Sequence, residues 1–314
     1  MKYNHCLFPA LCCCALLLAG CSHSGPGQSP AAAATHSLPA PQQTVPLAPA
    51  TTPPPATPEP TPEPTPEPTP TPVPYTFGQP LEESAPVAAD SAFDHAVFLG
   101  DSRTEGLQMF SGLRHGDFYW ARGMSVFQAT SEQHRIFTVN DISCNLVETL
   151  DFQTYDAVYL MIGINELGYS PQAYQDSLYN LVMEIIARQP QAVVYLQTLP
   201  PVNEGEARAN NLASYINNHQ VELFNQAIVQ VAEETQVVLL DTAAAFRDAN
   251  GQLPAELSSD GAHLTVKGYQ IWADFLRCHT MDSARYQAAR DIPDEIIEPD
   301  VFVEPDITIN EEVN

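Results

Sequence analysis

The chain has 314 residues with 29 prolines and only 15 glycines, too many prolines for a uniformly folded chain. Twenty of the prolines lie between Cys21 and Ser91, so this interval cannot bury a core, and we assign residues 21–91 as a disordered Pro/Thr-rich linker. The formal net charge is −26, with 12 basic against 38 acidic residues. No basic stripe is available to neutralise a run of phosphates, which excludes nucleic acid as a partner.

The N-terminal segment has the features of an export signal. Residues 1–20 combine an early lysine with an apolar run that is too short to span a bilayer, which predicts a signal peptide. The run ends in Leu18-Ala19-Gly20-Cys21, which resembles the lipobox of bacterial lipoproteins. The resemblance implies that Cys21 is lipidated and becomes the mature N-terminus. We therefore expect a lipid-anchored protein at the extracellular face of the bacterial cytoplasmic membrane, since two acyl chains form a stable anchor.

The remaining chain divides into one folded domain and an acidic tail. We predict that residues 92–280 fold, and that residues 281–314, which are dense in acids, are disordered. Cys144 and Cys278 are the two cysteines of the predicted domain, too few for a metal cluster. A disulfide and two buried thiols are both compatible with this pair.

The predicted domain alternates short apolar runs with amphipathic helical patterns. This alternation predicts a parallel sheet covered on both faces, that is, a three-layer α/β/α sandwich. The predicted strands are His95–Gly100, Phe118–Ala121, Ala157–Gly163, Ala192–Thr198 and Val237–Asp241. The predicted helices are Thr104–Phe110, one that follows Ser170-Pro171, Val221–Val231 and a last helix capped by Thr265. In such sheets ligands bind outside the carboxyl ends of the strands.

Several residues with catalytic chemistry follow these strands or precede the last helix. Ser102 follows the first strand, where a helix N-terminus supplies free N–H groups and partial positive charge. Asp260 and His263 have the spacing that lets a carboxylate hold one imidazole nitrogen while the other faces a nucleophile. The backbone N–H of Gly123 and the side-chain amide of Asn165 are candidate donors to an oxyanion.

These blocks, Gly-Asp-Ser, an isolated Gly, Gly-x-Asn and Asp-x-x-His, occur in the order typical of the SGNH hydrolases, also called GDSL esterases or lipases. The chain resembles that family over about residues 92–278. The resemblance implies a flavodoxin-like fold and catalysis without a cofactor or metal. The site residues that it implies are the nucleophile Ser102, the base His263, its orienting carboxylate Asp260, and an oxyanion hole of the Ser102 amide, Gly123 and Asn165.

Two positions depart from the family pattern. Arg103 stands where the family usually has Leu or Ile after the nucleophile, and Glu166 stands where it usually has Asp. Because a buried unpaired guanidinium is costly, we expect Glu166 to pair with Arg103 beneath the site. The alternative is that Arg103 faces the cleft and contacts an anionic substrate.

The predicted function is that of a serine esterase. We expect it to hydrolyse short-chain acyl esters, in particular O-acetyl esters of cell-wall or environmental carbohydrates, through an acyl-enzyme. The domain has no long apolar segment that resembles an interfacial lid, which favours a soluble or wall-bound ester over bulk lipid. Two alternatives are an O-acyltransferase that passes the acyl group to a sugar hydroxyl and a non-catalytic envelope lipoprotein that uses the cleft for binding.

Overall fold

The computed structural model describes residues 75–290. The predicted signal peptide (residues 1–20), the predicted lipidation site Cys21, most of the predicted linker and residues 291–314 lie outside the described residues.

A parallel sheet forms the centre of the described domain. Its strands and a separate hairpin within residues 75–290 are β1 (Ala96–Gly100), β2 (Asp117–Trp120), β3 (Phe137–Val139), β4 (Ile142–Cys144), β5 (Ala157–Met161), β6 (Val193–Gln197) and β7 (Val238–Leu240). The five-stranded sheet has the order β2-β1-β5-β6-β7, and all its strand pairs are parallel. β3 and β4 form an antiparallel hairpin outside it.

Aromatic side chains run across one face of this sheet and match its register. Phe98 of β1 is paired with Phe118 of β2 and with Tyr159 of β5, and Tyr159 is paired with Tyr195 of β6. The four rings stack at successive centroid distances of 4.5, 4.9 and 4.4 Å. Since a slip of one residue would move each ring to the other face, this row favours the observed register.

Helices cover both faces of the sheet. Within the described part they are α1 (Ser102–Phe110), α2 (Val126–Ala129), α3 (Pro171–Arg188), α4 (Glu204–Ala209), α5 (Asn218–Glu234), α6 (Val266–Cys278) and α7 (Ser283–Ala289). α1 packs against α6, and α3 packs against α5. Every residue of β1 and β6 is buried, and because side chains alternate along a strand, both faces of the sheet are covered. The predicted α/β/α fold is confirmed, and the predicted strands end within two residues of the observed ones.

Local sequence sets the start of the main helices. The Asp101 carboxylate accepts a hydrogen bond from the Arg103 N–H at the start of α1, and Thr265 caps α6 through the Gly268 N–H. Pro171 occupies the first turn of α3, where its missing N–H leaves no helical bond unmade. None of the helices within residues 75–290 is long and apolar enough to cross a lipid bilayer.

The structure corrects the predicted start of the domain. Residues 75–91, assigned to the linker from their composition, pack on the sheet and on α6. Leu81 is buried and its N–H donates to Leu239 O at 2.9 Å, while the Ser84 N–H donates to Cys278 O at 2.6 Å. The apolar side chains of this interval supply the contacts that its average composition hides.

The structure also corrects the predicted end of the domain at residue 280. α7 lies in the interval assigned to the tail, and Tyr286 on this helix is fully buried, with its ring edge-on to Phe77 at 6.3 Å. The Met281 N–H donates to Tyr195 Oη at 2.7 Å, which attaches the start of the segment to β6. α7 is therefore part of the folded domain.

Cys144 and Cys278 are free thiols in the structure. Cys144 is buried at the end of β4, and Cys278 is the last residue of α6. The sequence left open whether the two cysteines form a disulfide, and in the structure they do not.

The docking of α7 generates a stability prediction. Tyr286→Ala should lower the free energy of unfolding by about 3 kcal/mol, because it removes a large buried ring and leaves a cavity. Val87→Ala, at an exposed position of the N-terminal segment, is the matched control and should change stability by less than about 0.5 kcal/mol. Urea unfolding of both variants measures the difference, and equal stabilities would show that α7 does not contribute to the core.

Candidate active site

The structure brings Ser102, His263 and Asp260 together in one chain of hydrogen bonds. Ser102 Oγ lies 2.8 Å from His263 Nε2, and His263 Nδ1 lies 2.7 Å from Asp260 Oδ2. The other Asp260 oxygen accepts the backbone N–H groups of Ala262 and His263, each at 2.8 Å. One carboxylate therefore orients both the imidazole ring and the loop to which it belongs.

The loop before His263 turns sharply at Gly261, where φ is +107°. A Cβ at this position would lie 2.3 Å from the backbone nitrogen of Ala207, so the turn requires glycine. The Asn203 N–H donates to Gly261 O, and the Gly261 N–H donates to Ser258 Oγ, both at 2.8 Å. Contacts with Asn203, which caps α4, and with Ala207 of the same helix thus hold the loop in place.

Hydrogen bonding also sets the ionisation of Asp260. The bond from His263 and the two backbone N–H bonds hold the pKa of Asp260 well below its usual range, although partial burial opposes this. The carboxylate therefore stays ionised across the neutral range. An ionised carboxylate in this position keeps the Nδ1–H tautomer of His263 and stabilises the imidazolium when Nε2 takes up a proton.

The expected oxyanion donors lie beside the serine. Gly123 and Asn165 line the same cavity as Ser102 and His263. Asn165 Nδ2 donates one hydrogen bond to Met124 O at 2.9 Å, which orients the amide. Because a side-chain amide has two N–H groups, the second is left for a ligand.

Arg103 does not form the expected ion pair with Glu166. Its side chain is fully buried, and Nε and Nη2 donate to Ala262 O at 3.1 and 2.9 Å, while Nη1 lies 3.5 Å from Pro200 O. The alternative, in which Arg103 faces the cleft, is also wrong because the guanidinium lies beneath the site.

The carboxylate that compensates Arg103 is that of Asp101, two residues before it. Asp101 is fully buried, and one of its oxygens accepts the Arg103 backbone N–H at 2.8 Å. Burial raises the pKa of Asp101, and the charge of Arg103 is the largest effect in the opposite direction. Likewise, burial lowers the pKa of Arg103, and Asp101 is the main group that opposes it. The sequence analysis paired the arginine with the wrong carboxylate.

Glu166 is buried without a cation of its own. One oxygen accepts the Val126 N–H, and the other has no hydrogen-bond partner within the described residues. Burial, with a smaller effect of the Asp101 charge, raises the pKa of Glu166 to about 8. At neutral pH the side chain is therefore mostly a neutral carboxylic acid, a form that tolerates burial.

This burial predicts a pH-dependent stability. The pKa of Glu166 rises from 4.5 to about 8 on folding, so the folded protein holds a proton that the unfolded chain releases within this window. Stability should thus fall as the pH rises from about 4.5 to 8, with a slope approaching about 1.4 kcal/mol per pH unit. Glu166→Gln, which is permanently neutral, should flatten the slope, although Asp101 retains a contribution of the same sign.

Urea unfolding between pH 5 and 8 measures this slope. Glu222→Gln, at an exposed carboxylate of α5, is the matched control and should keep the wild-type slope. An unchanged slope in Glu166→Gln would contradict the proposed protonation of the buried carboxyl.

The reactive residues open into a cavity of about 840 Å³. Several residues that the sequence analysis did not single out line it: Glu105, Met109, Phe110, Arg122, Val266 and Tyr269. Arg122 was adjacent to a recognised block, but nothing in the sequence indicated its partner, Glu105, 17 residues earlier. A smaller cavity of about 240 Å³ shares Asn165 and His263 with the large one.

Comparison with known proteins places the chain in a family. Residues 98–271, more than half of the chain, match the GDSL-like Lipase/Acylhydrolase family. The chain belongs to this family and is an ester-hydrolysing enzyme, as the four sequence blocks predicted.

The chain is also similar to several individual proteins. The chain is 28% identical over 211 residues to an acetylxylan esterase of Geobacillus stearothermophilus, covering 58% of this chain and 91% of that protein. A GDSL-like lipase structure from Bacteroides thetaiotaomicron is 15% identical, with a TM-score of 0.45 over 63% of this chain and 90% of that one. A lipase/acylhydrolase structure from Enterococcus faecalis is 14% identical, with a TM-score of 0.40 over 58% of this chain and 92% of that one.

Proposed function

We propose that the protein hydrolyses short-chain acyl esters, in particular O-acetyl esters of cell-wall or environmental carbohydrates, through an acyl-enzyme on Ser102. The observation that carries the proposal is the hydrogen-bond chain from Ser102 through His263 to Asp260, with links of 2.8 and 2.7 Å. The similarity to an acetylxylan esterase supports the acetyl group and the sugar alcohol as parts of the substrate.

The geometry suggests a two-step reaction. Ser102 Oγ attacks the ester carbonyl carbon while His263 Nε2 takes its proton, and the carbonyl oxygen becomes an oxyanion that accepts from the Ser102 N–H, the Gly123 N–H and Asn165 Nδ2. The imidazolium then protonates the alcohol oxygen as the C–O bond breaks, leaving the acyl group on Ser102. His263 next deprotonates a water that attacks the acyl carbonyl carbon, and the imidazolium returns this proton to Ser102 Oγ as the bond to the acyl group breaks and the acid is released. Asp260 stays ionised throughout and stabilises the imidazolium.

The three linked residues should act as one unit. Ser102→Ala and His263→Ala should each lower kcat by several orders of magnitude, with little further loss in the double variant. Asn165→Ala should lower kcat by about 10²- to 10³-fold, the usual effect of removing one oxyanion donor. Asp260→Asn should lower kcat while the fold remains intact, since the carboxylate acts on the imidazole.

Steady-state kinetics on p-nitrophenyl acetate measures these effects. Ser125→Ala is the control, because Ser125 caps α2 and does not line either cavity. A folded Ser102→Ala protein with near-wild-type kcat would contradict the proposed nucleophile.

The substrate class is tested with a panel of p-nitrophenyl esters of increasing chain length beside acetylated polysaccharides. We expect kcat/KM to be highest for the shortest acyl groups and acetate to be released from acetylated xylan. A preference for long chains, with no release from acetylated carbohydrate, would contradict the proposed substrate. Adding a sugar acceptor then separates hydrolysis from acyl transfer by the partition between free acetate and acetylated acceptor.

We further propose that the enzyme is anchored by lipid on Cys21 at the extracellular face of the bacterial cytoplasmic membrane. Support comes from the sequence Leu18-Ala19-Gly20-Cys21 after a short apolar run. The proline-rich segment that follows would extend the domain away from the lipid surface.

Cys21→Ala tests the anchor. The variant should leave the membrane for the medium or accumulate as an unprocessed precursor, because the acylation site is lost. Fractionation and mass spectrometry of the N-terminus measure the outcome, with Cys14→Ala as the matched control. A processed Cys21→Ala protein that stays in the membrane at wild-type levels would contradict lipidation at this residue.

A further inference from the structure

An ion pair between Arg122 and Glu105 forms part of the wall of the large cavity. The reaction steps proposed above use neither residue. Arg122 donates through Nε and Nη2 to the two oxygens of Glu105, both at 2.6 Å, which is a bidentate contact. Glu105 lies on α1 one turn after Ser102, and Arg122 directly precedes Gly123. The pair therefore connects the nucleophile helix with the segment of an oxyanion donor.

The two members of the pair are exposed very differently. The Arg122 side chain is 77% exposed and that of Glu105 only 10%, so the carboxylate lies beneath the guanidinium. Within residues 75–290, Nη1 of Arg122 has no hydrogen-bond partner and is free to donate to a ligand. Because the Nε and Nη2 edge of the planar guanidinium is bound to Glu105, Nη1 is held in place before a ligand arrives.

The charge of the pair limits what it binds. The Glu105 carboxylate compensates the Arg122 cation at hydrogen-bond distance, so the pair as a whole is neutral. Asp260 is a further anion of the site, and the chain itself has a net charge of −26. This environment suits an uncharged ligand with oxygen acceptors and disfavours an anionic one.

Next to the polar pair, the cavity presents apolar surface. Met109, Phe110 and Val266 line it and are exposed despite being apolar, and the Phe110 ring lies 5.9 Å from that of Tyr269. A sugar ring has the same division, with hydroxyl groups at its edge and C–H groups on its faces. The volume of about 840 Å³ is within the roughly 300–1,000 Å³ range of small-molecule sites.

We propose that the Arg122–Glu105 pair is the alcohol-binding subsite of this enzyme and that it selects an uncharged sugar. Arg122 donates hydrogen bonds to sugar hydroxyl oxygens, while Glu105 cancels the positive charge and so discriminates against esters of anionic alcohols. This inference rests on the proposed esterase function, since it assigns the alcohol side of the same cavity.

Two substrate pairs test the subsite. The first compares 4-acetoxybenzoate with 4-acetoxybenzamide. These esters carry the same acetyl group, and the phenol that leaves is anionic in the first and neutral in the second. The second compares an acetylated xylo-oligosaccharide with p-nitrophenyl acetate. The variants are Glu105→Gln and Arg122→Gln, and the control is Arg247→Gln, which removes the exposed guanidinium of a pair that does not line the cavity.

Glu105→Gln leaves Arg122 uncompensated, so the kcat/KM ratio of 4-acetoxybenzoate to 4-acetoxybenzamide should rise about tenfold. Arg122→Gln removes the donor, so the ratio of acetylated xylo-oligosaccharide to p-nitrophenyl acetate should fall about tenfold, the usual effect of one hydrogen bond to a charged group. Arg247→Gln should change neither ratio. Ratios report specificity even where a variant also alters the reaction rate.

Unchanged ratios in both variants would overturn the subsite while leaving the esterase proposal intact. A wild-type enzyme that hydrolyses p-nitrophenyl acetate and no acetylated sugar would also overturn it. A wild-type protein without activity on any of the four esters would instead overturn the proposed esterase function, and with it the subsite.

Discussion

The geometry of the site depends on the hydrogen bonds that the buried Arg103 guanidinium donates to Ala262 O. Ser102 and His263 are 161 residues apart in the chain, yet their side chains meet at 2.8 Å. The residue after the serine, Arg103, donates twice to the carbonyl of the residue before the histidine, Ala262. One buried side chain therefore joins the backbone beneath the nucleophile to the backbone beneath the base. Burying a cation is costly, and here Asp101 and the carbonyl oxygens offset the cost.

A second set of contacts joins the remaining two blocks of the site. Asn165 donates to Met124 O, and its neighbour Glu166 accepts the Val126 N–H, so the segment after β5 is attached twice to the segment that follows Gly123. These bonds place the Asn165 amide and the Gly123 N–H on the same cavity as the serine. Glu166 is buried without a cation of its own, so it holds a proton, as the rise of its pKa to about 8 through burial indicates.

Much of this arrangement was predictable from the sequence. The continuous apolar runs predicted the five parallel strands, and the chemistry of Ser102, Asp260 and His263 followed from their positions beside strand and helix ends. The prediction of an ion pair between Arg103 and Glu166 was wrong, because it depended on contacts between segments that are distant in the sequence. In the tertiary structure Asp101 is instead the main group that opposes the effect of burial on the pKa of Arg103.

The domain boundaries failed for a different reason. Prolines and acids dominate the composition of the flanking intervals, whereas a few apolar residues, such as Leu81 and Tyr286, decide that they pack on the domain. The Arg122–Glu105 contact had no signal at all, because a spacing of 17 residues corresponds to no periodic element.

The most direct test of this account is the rate at which a fluorophosphonate labels Ser102 in Arg103→Met. Labelling requires the Ser102–His263 contact and no substrate binding, because the activated hydroxyl attacks phosphorus and displaces fluoride. We expect a folded Arg103→Met protein to react about 10²-fold more slowly than wild type, the effect of a misplacement of about 1 Å, with Arg103→Lys in between. A folded Arg103→Met protein that is labelled at the wild-type rate would contradict the central role of the guanidinium.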